Sequence, residues 1–411
     1  MAISKIKSGK FAGLYRVRIQ PKDKLTGKVI SVKSQVTKTK NYQDAQKLEL
    51  DMWADFHGQQ LVAETKLDQP LADEFQHYVD ECQELGKWAD STAYDWQYTA
   101  KLVKHYFGRQ KIRDIRETDI NKFAHNYVRD HKTKVAKHST VDRQLQNLRC
   151  YFGKMERYGL KINPVPKGAL SEFFRRGDMT RPDEKYIFNN DEISQIRQQI
   201  YQDLEDKPFN AWGSRLSILI ALDTGMRPQE IQALRWNEFL DEEGFKVFEI
   251  HDSWNERTHE LNLTLKDRMQ GDTRKTLPLS DRTLHFLHEY HLKQSKYLKN
   301  KQIRNKNNFM LLTLGDIARC TAGYPVAQRS MNDMLKSIVQ KLKIDSHGLS
   351  ISMYTCRHTV ASKLGNNPHM SYPWAAARLG HTLEMFMRTY VHPDEDQNKT
   401  MLKLVVSDQT H

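Results

Sequence analysis

The order of apolar and polar positions divides the chain into stretches of different period. Near the N-terminus the period is two: Leu14, Val17 and Ile19, with Tyr15 nearby, alternate with Arg16 and Arg18, the pattern of a half-buried strand. L-T-G-K, centred on Gly27, reads as a turn, and V-I-S-V-K-S-Q-V as the returning strand. A helix starts near Asn41 and carries Ala45, Leu48, Met52, Trp53 and Phe56 on one face. Residues 58–69 read as a linker. From 70 to 165 the period is helical throughout, with helices expected at Leu71–Leu85, Ser91–Phe107, Glu117–Arg129 and Ser139–Tyr158, and Ser91 and Ser139 as N-caps. Residues 166–188, with Arg175, Arg176, Arg181 and Pro182, read as a second linker. Beyond it, helices at Asp191–Tyr201, Ser214–Thr224 and Pro228–Leu234 precede alternating strands between 245 and 279. Five more helices follow, at Asp281–Leu298, Ser330–Leu342, Tyr354–Leu364, Pro373–Leu379 and Leu383–Tyr390.

The expected fold class is therefore multidomain α+β. A small β-sheet-plus-helix domain (1–65) precedes an all-α domain (70–165). A mainly α domain with a small antiparallel sheet (189–393) and a tail (394–411) follow. A length of 411 residues suits two or three domains.

Charge narrows the partner. The net charge is +13, with a pI of about 9.3, which suits a polyanion, most simply nucleic acid. Residues 1–40 hold eleven Lys or Arg against the single acid Asp23. Arg16, Arg18, Lys28 and Lys33 lie on or beside the expected strands. Lys134, Lys137 and Arg143 flank the start of a helix, where they could meet phosphates or simply solvate its face. No run of 18 apolar residues exists, so no membrane span is expected, and the N-terminus lacks the apolar core of a signal peptide. The four cysteines are scattered, as for free thiols in a reducing cytosol.

The candidate chemistry sits in three short segments: T-G-M-R-P-Q-E (Thr224–Glu230), Y-T-C-R-H-T-V-A-S-K-L-G (Tyr354–Gly365) and R-L-G-H-T-L-E-M-F-M-R-T-Y (Arg378–Tyr390). The histidines lack a Cys or carboxylate at metal-ligand spacing, and there is no G-x-x-x-x-G-K-[ST] phosphate loop. Two arginines, two histidines and a tyrosine can instead make a cationic pocket around one phosphate, with a phenol beside it. Arg227 and Arg357 can each offer a planar fork of donors to phosphate oxygens. Tyr390 is the candidate nucleophile, its phenol helped towards phenolate by nearby positive charge.

These segments resemble the first arginine box, the second arginine box and the histidine–nucleophile box of the tyrosine recombinases, the phage integrase family. The three occur in the family's order, with about 130 residues between the arginines. The resemblance implies a site-specific DNA recombinase, an integrase that cleaves and rejoins strands through a 3′-phosphotyrosyl link and integrates or excises a mobile element of a temperate phage or an integrative or conjugative element. It implies catalytic roles for Arg227, Arg357, His381 and Tyr390, with no metal and no cofactor. The family's usual His three residues before the second arginine is Tyr354 here, and a phenol cannot take up a proton at neutral pH as imidazole can. Glu230 is expected to brace the pocket, and His358 to pack within its helix. R-K-T-L-P-L resembles the strand leaving the family's lysine hairpin; the usual lysine position falls on Met269–Gln270, so Lys266 is the preferred general acid and Lys275 the alternative.

Residues 1–65 resemble an arm-type DNA-binding domain, and 70–165 a core-binding domain. The implied partners are double-stranded DNA at core and arm attachment sites, further copies of the chain up to a tetramer on synapsed DNA, and a DNA-bending or excision accessory protein. The implied location is the cytoplasm of a bacterial host. Two other readings use the same scaffold: a catalytically silent DNA-binding regulator, and a type IB topoisomerase-like nicking–closing enzyme. Met401, Leu402, Leu404, Val405 and Val406 form an apolar tail expected to fold back on its own domain or dock on a neighbouring protomer.

Overall fold

Alternation at the N-terminus produces a three-stranded antiparallel sheet, β1 (Ile3–Lys5), β2 (Tyr15–Ile19) and β3 (Lys33–Val36), in that order. Val17 and Ile19 are buried with Ala45 and Met52 of helix α1 (Tyr42–Leu67), while Arg16 and Arg18 face outward. The computed structural model describes residues 3–22, 29, 31–180, 184–266, 268–391 and 402–403, and for 57–65 the backbone alone. The turn at Gly27 and the candidate Lys28 therefore lie outside the described residues. The chain divides near residue 182 into two compact units.

In the first unit, the expected break at 58–69 is absent over most of its length: α1 continues to Leu67. Gln59, Gln60, Leu61, Ala63 and Glu64 are all good helix formers, and the first strong breaker is Pro70. The remaining helices are α2 (Leu71–Glu84), α3 (Asp90–Phe107), α4 (Glu117–His131), α5 (Thr140–Met155) and α6 (Ala169–Phe173). They bury Phe75, Phe123, Tyr151 and Phe152 completely. Ser139 caps α5, its hydroxyl accepting from the Asp142 amide. Ser91 does not cap α3, which begins one residue earlier behind Ala89. Within the expected linker at 166–188, residues 169–173 form α6 and several apolar side chains are buried. Val165, Leu170, Phe173 and Phe174 pack into the helical core, and Tyr186 and Phe188 join the core of the second unit, because apolar side chains of that size are worth burying.

The second unit is built around α8 (Gly213–Thr224), almost wholly buried, with its charged Arg215 and Asp223 paired to Asp203 and Arg197. Before it lies α7 (Asn190–Asp206), started by a capping box between Asn189 and Glu192. After it come α9 (Pro228–Ala233) and the strands β4 (Phe239–Glu242), β5 (Phe245–Ile250), β6 (Trp254–Asn255), β7 (Glu260–Leu261) and β8 (Arg274–Lys275). β4, β5 and β8 form one antiparallel sheet in that order, and β6 and β7 form a separate hairpin. Within the alternation expected between 245 and 279, L-N-L-T-L (Leu261–Leu265) leaves the strand after Leu261, since Leu263 takes a left-handed backbone (φ 57°) that breaks the pairing. Helices α10 (Asp281–Asn300), α11 (Ile317–Thr321), α12 (Gln328–Lys341), α13 (Met353–Gly365), α14 (Tyr372–Leu379) and α15 (Leu383–Tyr390) complete the unit, and α13 packs on α8, α14 and α15. Of the apolar tail, only Leu402 is described, and it is exposed; Met401, Leu404, Val405 and Val406 lie outside the described residues. Among the described residues no helix is long and apolar enough to cross a membrane.

Candidate active site

The site grows from the C-terminal end of α14. The last carbonyls of a helix lack intrahelical partners and carry partial negative charge. Here three successive ones each take a guanidinium. Arg274 donates to the Arg378 carbonyl, Arg357 to that of Leu379 (2.7 Å), and Arg227 to that of Gly380 (3.0 Å). Gly380 holds a left-handed turn (φ 68°), and a Cβ there would stand 3.0 Å from Arg274 Nε. Arg357 also donates to the carbonyl of Gly225 (2.7 Å), itself left-handed (φ 64°), where a Cβ would meet Leu379 at 2.6 Å. The T-G-M-R and R-L-G-H segments are thus tied together through backbone oxygens.

Beneath the arginines lies one carboxylate. Glu230 is 2% exposed; it accepts from Arg227 Nη1 (2.9 Å), from the Arg227 amide (2.8 Å) and from Arg274 Nη2 (2.6 Å). Burial alone would push its carboxyl up, but Arg274, Arg227 and Arg357 together hold it below the ordinary range. Burial, then Arg227, lowers the Arg357 guanidinium, which still keeps its proton at neutral pH. One carboxylate against three guanidiniums leaves a buried excess of positive charge, which is what an anion needs.

Tyr390, at the end of α15, is 5% exposed and points into this cluster. Its hydroxyl lies 2.8 Å from His358 Nδ1, and its ring stacks on His381 (centroids 5.5 Å apart, 14° between planes). Burial raises the phenol above its ordinary range, while Arg357 and Arg227 pull it back. Gly365 sets the approach: a Cβ there would stand 2.4 Å from the Tyr390 carbonyl oxygen, so α13 can pass only because that residue is glycine. His381 Nε2 pairs with Arg357 Nη2. Burial first, then Arg357, Arg227 and Arg274, push this imidazole down to about 2, so it is neutral. With Nε2 accepting from a guanidinium, the proton sits on Nδ1, and among the described residues that buried N–H has no partner.

The structure thus brings together Arg227, Arg357, His381 and Tyr390 but leaves two other candidates apart. Tyr354 lies one turn before Arg357 on α13, with its hydroxyl on Gln229 (3.2 Å) instead of in the cluster. Lys266 is exposed on the loop between β7 and β8. Lys275 lies on β8 but faces outward, paired with Glu242 (3.0 Å). The basic surface candidates Arg16, Arg18, Lys33, Lys134, Lys137 and Arg143 are all exposed, and Arg143 also pairs with Asp95 (3.2 Å). Two members of the cluster were not expected. Arg274 stands two residues before the fully buried Thr276 and so points inward with it, a facing set by the pairing of β8 with β5. His358 was expected to pack inside its helix, yet it is the residue that reaches the Tyr390 hydroxyl. Among the described residues, no group of three or more His, Cys, Asp or Glu is placed to hold a metal.

A buried cluster of arginines around a tyrosine, carried on helices beside a small antiparallel sheet, defines a class of DNA strand-transfer enzyme. Residues 188–397 match the phage integrase family, and the chain belongs to that family, the tyrosine recombinases. Its fold is similar to that of the integrase of transposon Tn1549 in complex with transposon right end DNA (TM-score 0.61, 17% identity, 81% of this chain and 99% of that one). It is also similar to the XerH site-specific recombinase bound to palindromic difH substrate (0.55, 16%, 80% and 84%). A lambda integrase dimer bound to a COC′ core site aligns at 0.50, with 15% identity over 92% of each chain. No curated protein matches the chain.

Proposed function

We propose that this protein is a site-specific DNA integrase whose nucleophile is Tyr390. The observation that carries the reading is the cluster of Arg227, Arg274 and Arg357 around the single carboxylate of Glu230, with the buried Tyr390 beside it. Arg227 and Arg357 hold the phosphodiester and offset the charge that grows on its oxygens. Tyr390 Oη attacks phosphorus to give a 3′-phosphotyrosyl link, and the 5′-oxygen leaves with a proton from Lys266. The free 5′-hydroxyl of a partner strand then reverses the step. The bond energy stays in the covalent link, so the scheme consumes no cofactor.

The substrate is double-stranded DNA, in keeping with the Tn1549 integrase complex with circular intermediate DNA and the XerH complex with difH. Residues 1–65 bind arm sites through Arg16, Arg18, Lys28 and Lys33. Residues 70–165 bind the core site through Lys134, Lys137 and Arg143. Synapsis takes four protomers, with a DNA-bending or excision accessory protein as a further candidate partner, in the cytoplasm of a bacterium that carries the element. The test is covalent capture. Nicked suicide duplexes, recovered from a randomised pool by denaturant-stable attachment to the wild-type protein, should form an adduct that Tyr390→Phe abolishes while DNA binding persists. An adduct of normal yield in that variant would sink the assignment.

A further inference from the structure

We propose that His358 is the general base for Tyr390, taking the phenolic proton on Nδ1 as the tyrosine attacks and returning it when the strand is rejoined. The inference rests on the recombinase reading above and adds a residue to it. Three observations carry it. His358 Nδ1 stands 2.8 Å from Tyr390 Oη, within reach for direct proton transfer. Among the described residues it is the one side chain that bonds this oxygen: His381 stacks on the ring, but its Nε2 is committed to Arg357 and its Nδ1 has no partner. Tyr354, at the position where an imidazole could have served, bonds Gln229 and not the tyrosine.

The placement follows from α13. Arg357 and His358 are adjacent, so their side chains leave the helix about 100° apart. Arg357 reaches the carbonyls of Gly225 and Leu379, and His358 reaches α15. Seven residues, or about two turns, further along, Gly365 lets the Tyr390 backbone close on the same helix. One helix therefore holds Tyr390 at both ends, by its backbone and by its hydroxyl.

The groups that face His358 are Tyr390 from α15, His381 from the turn after α14, Arg357 from its own helix and Lys185 from the segment before α7. Burial first, then Lys185 and Arg357, hold the resting imidazole down to about 4, so it is neutral and free to accept. An incoming phosphodiester adds negative charge beside these cations and favours the imidazolium. In the forward step the Oη–H bond breaks, its proton goes to Nδ1 and its electron pair forms the bond to phosphorus. The bond from phosphorus to the 5′-oxygen breaks, and that oxygen is protonated by the general acid. On rejoining, the imidazolium returns its proton to Tyr390 as the phenol leaves.

The test is the single-turnover rate of adduct formation on suicide duplexes captured by the wild-type protein, measured across pH for wild type, His358→Ala and His358→Asn. Loss of a general base should slow His358→Ala by about 10²- to 10⁴-fold, remove the acidic limb of the wild-type pH–rate profile, and allow rescue by added imidazole. His358→Asn, which can still hydrogen-bond Tyr390 but cannot carry the proton, should stay slow and lack that limb. Wild-type rates and an unchanged pH profile in His358→Asn would overturn the proposal and leave His358 a positioning residue. Absence of a Tyr390-dependent adduct in the wild type would overturn the recombinase reading with it, so the two failures are distinguishable.

Discussion

The two sets of cations in this molecule are handled in opposite ways. In the catalytic unit Arg274 and Arg357 are 4% and 3% exposed, and each has fixed backbone or carboxylate partners. In the first unit Arg16, Arg18, Lys134 and Lys137 stand at the surface of a sheet and a loop. A desolvated cluster has strong fields and fixed geometry, which suits one phosphate in one position. Exposed cations in water are worth little singly and act by number, which suits a long polyanion whose register is set elsewhere. The contrast predicts that single substitutions in the cluster have large effects on fold and chemistry together, whereas those on the surface have small effects on binding alone.

The largest effect is expected at Glu230. Glu230→Ala strands two or three buried guanidiniums, and removing one partner of a buried pair costs about 3–5 kcal/mol. The catalytic unit should melt many degrees lower and lose cleavage, as thermal denaturation and the adduct assay would show. The pH dependence carries a sign. Because the folded pKa of Glu230 is depressed, its contribution is fully present above the ordinary unfolded value of about 4.3 and is lost as pH falls from there through the folded pKa. Glu230→Gln should flatten that acid window. A wild-type-like melting curve in both variants would show that the cluster is not braced by this carboxylate.

Next comes the leaving-group proton. Lys266→Ala should slow cleavage by about 10²- to 10⁴-fold on ordinary DNA and recover on a 5′-bridging phosphorothiolate, whose sulfur leaves without a proton. Lys275→Ala should stay near the wild-type rate, since that ammonium faces outward against Glu242. If the rescue belongs to Lys275 instead, the loop between β7 and β8 does not carry the acid.

Gly365→Ala tests geometry without touching charge. The added Cβ would stand 2.4 Å from the Tyr390 carbonyl oxygen and 3.1 Å from its Cβ, so α15 must shift. A displacement of about 1 Å at a reacting group can lower the rate about 10²-fold. DNA binding should be unaffected in a mobility-shift assay. Unchanged adduct formation would mean that the end of α15 adjusts freely.

What was legible in the sequence follows the same division. Arg227, Arg357, His381 and Tyr390 stand in short segments whose neighbours are themselves fixed: Gly225 and Gly380 by left-handed turns, Gly365 by close approach. The longer helices were legible from their period, whereas α6 and α11, five residues each, are too short to show one, and both expected linkers shrank where good helix formers or large apolar side chains continued through them. Arg274 was missed because β8 pairs over only two residues and its inward face is set by β5, far away in sequence. His358 was missed because its partner lies 32 residues on, and no helical period reports a contact made across helices. Arg143 looked like its basic neighbours, but its pairing with Asp95 depends on how α3 meets α5.

The smallest effects belong to the exposed strand. Arg16 and Arg18 project from the face of β2 opposite Val17 and Ile19, so replacing them leaves the small core intact. If each meets one phosphate, the slope of log affinity against log salt should fall by about one unit per arginine removed. One such contact weakens binding about 3.5-fold for a four-fold rise in salt, so the doubly substituted protein should bind arm DNA more weakly yet resist salt better than the wild type. Cleavage of a core-site suicide duplex should not change. A double variant with the wild-type salt slope would remove these arginines from the DNA interface. One that lost cleavage while keeping its fold would break the contrast itself, because a surface cation would then be acting on the chemistry of a buried site.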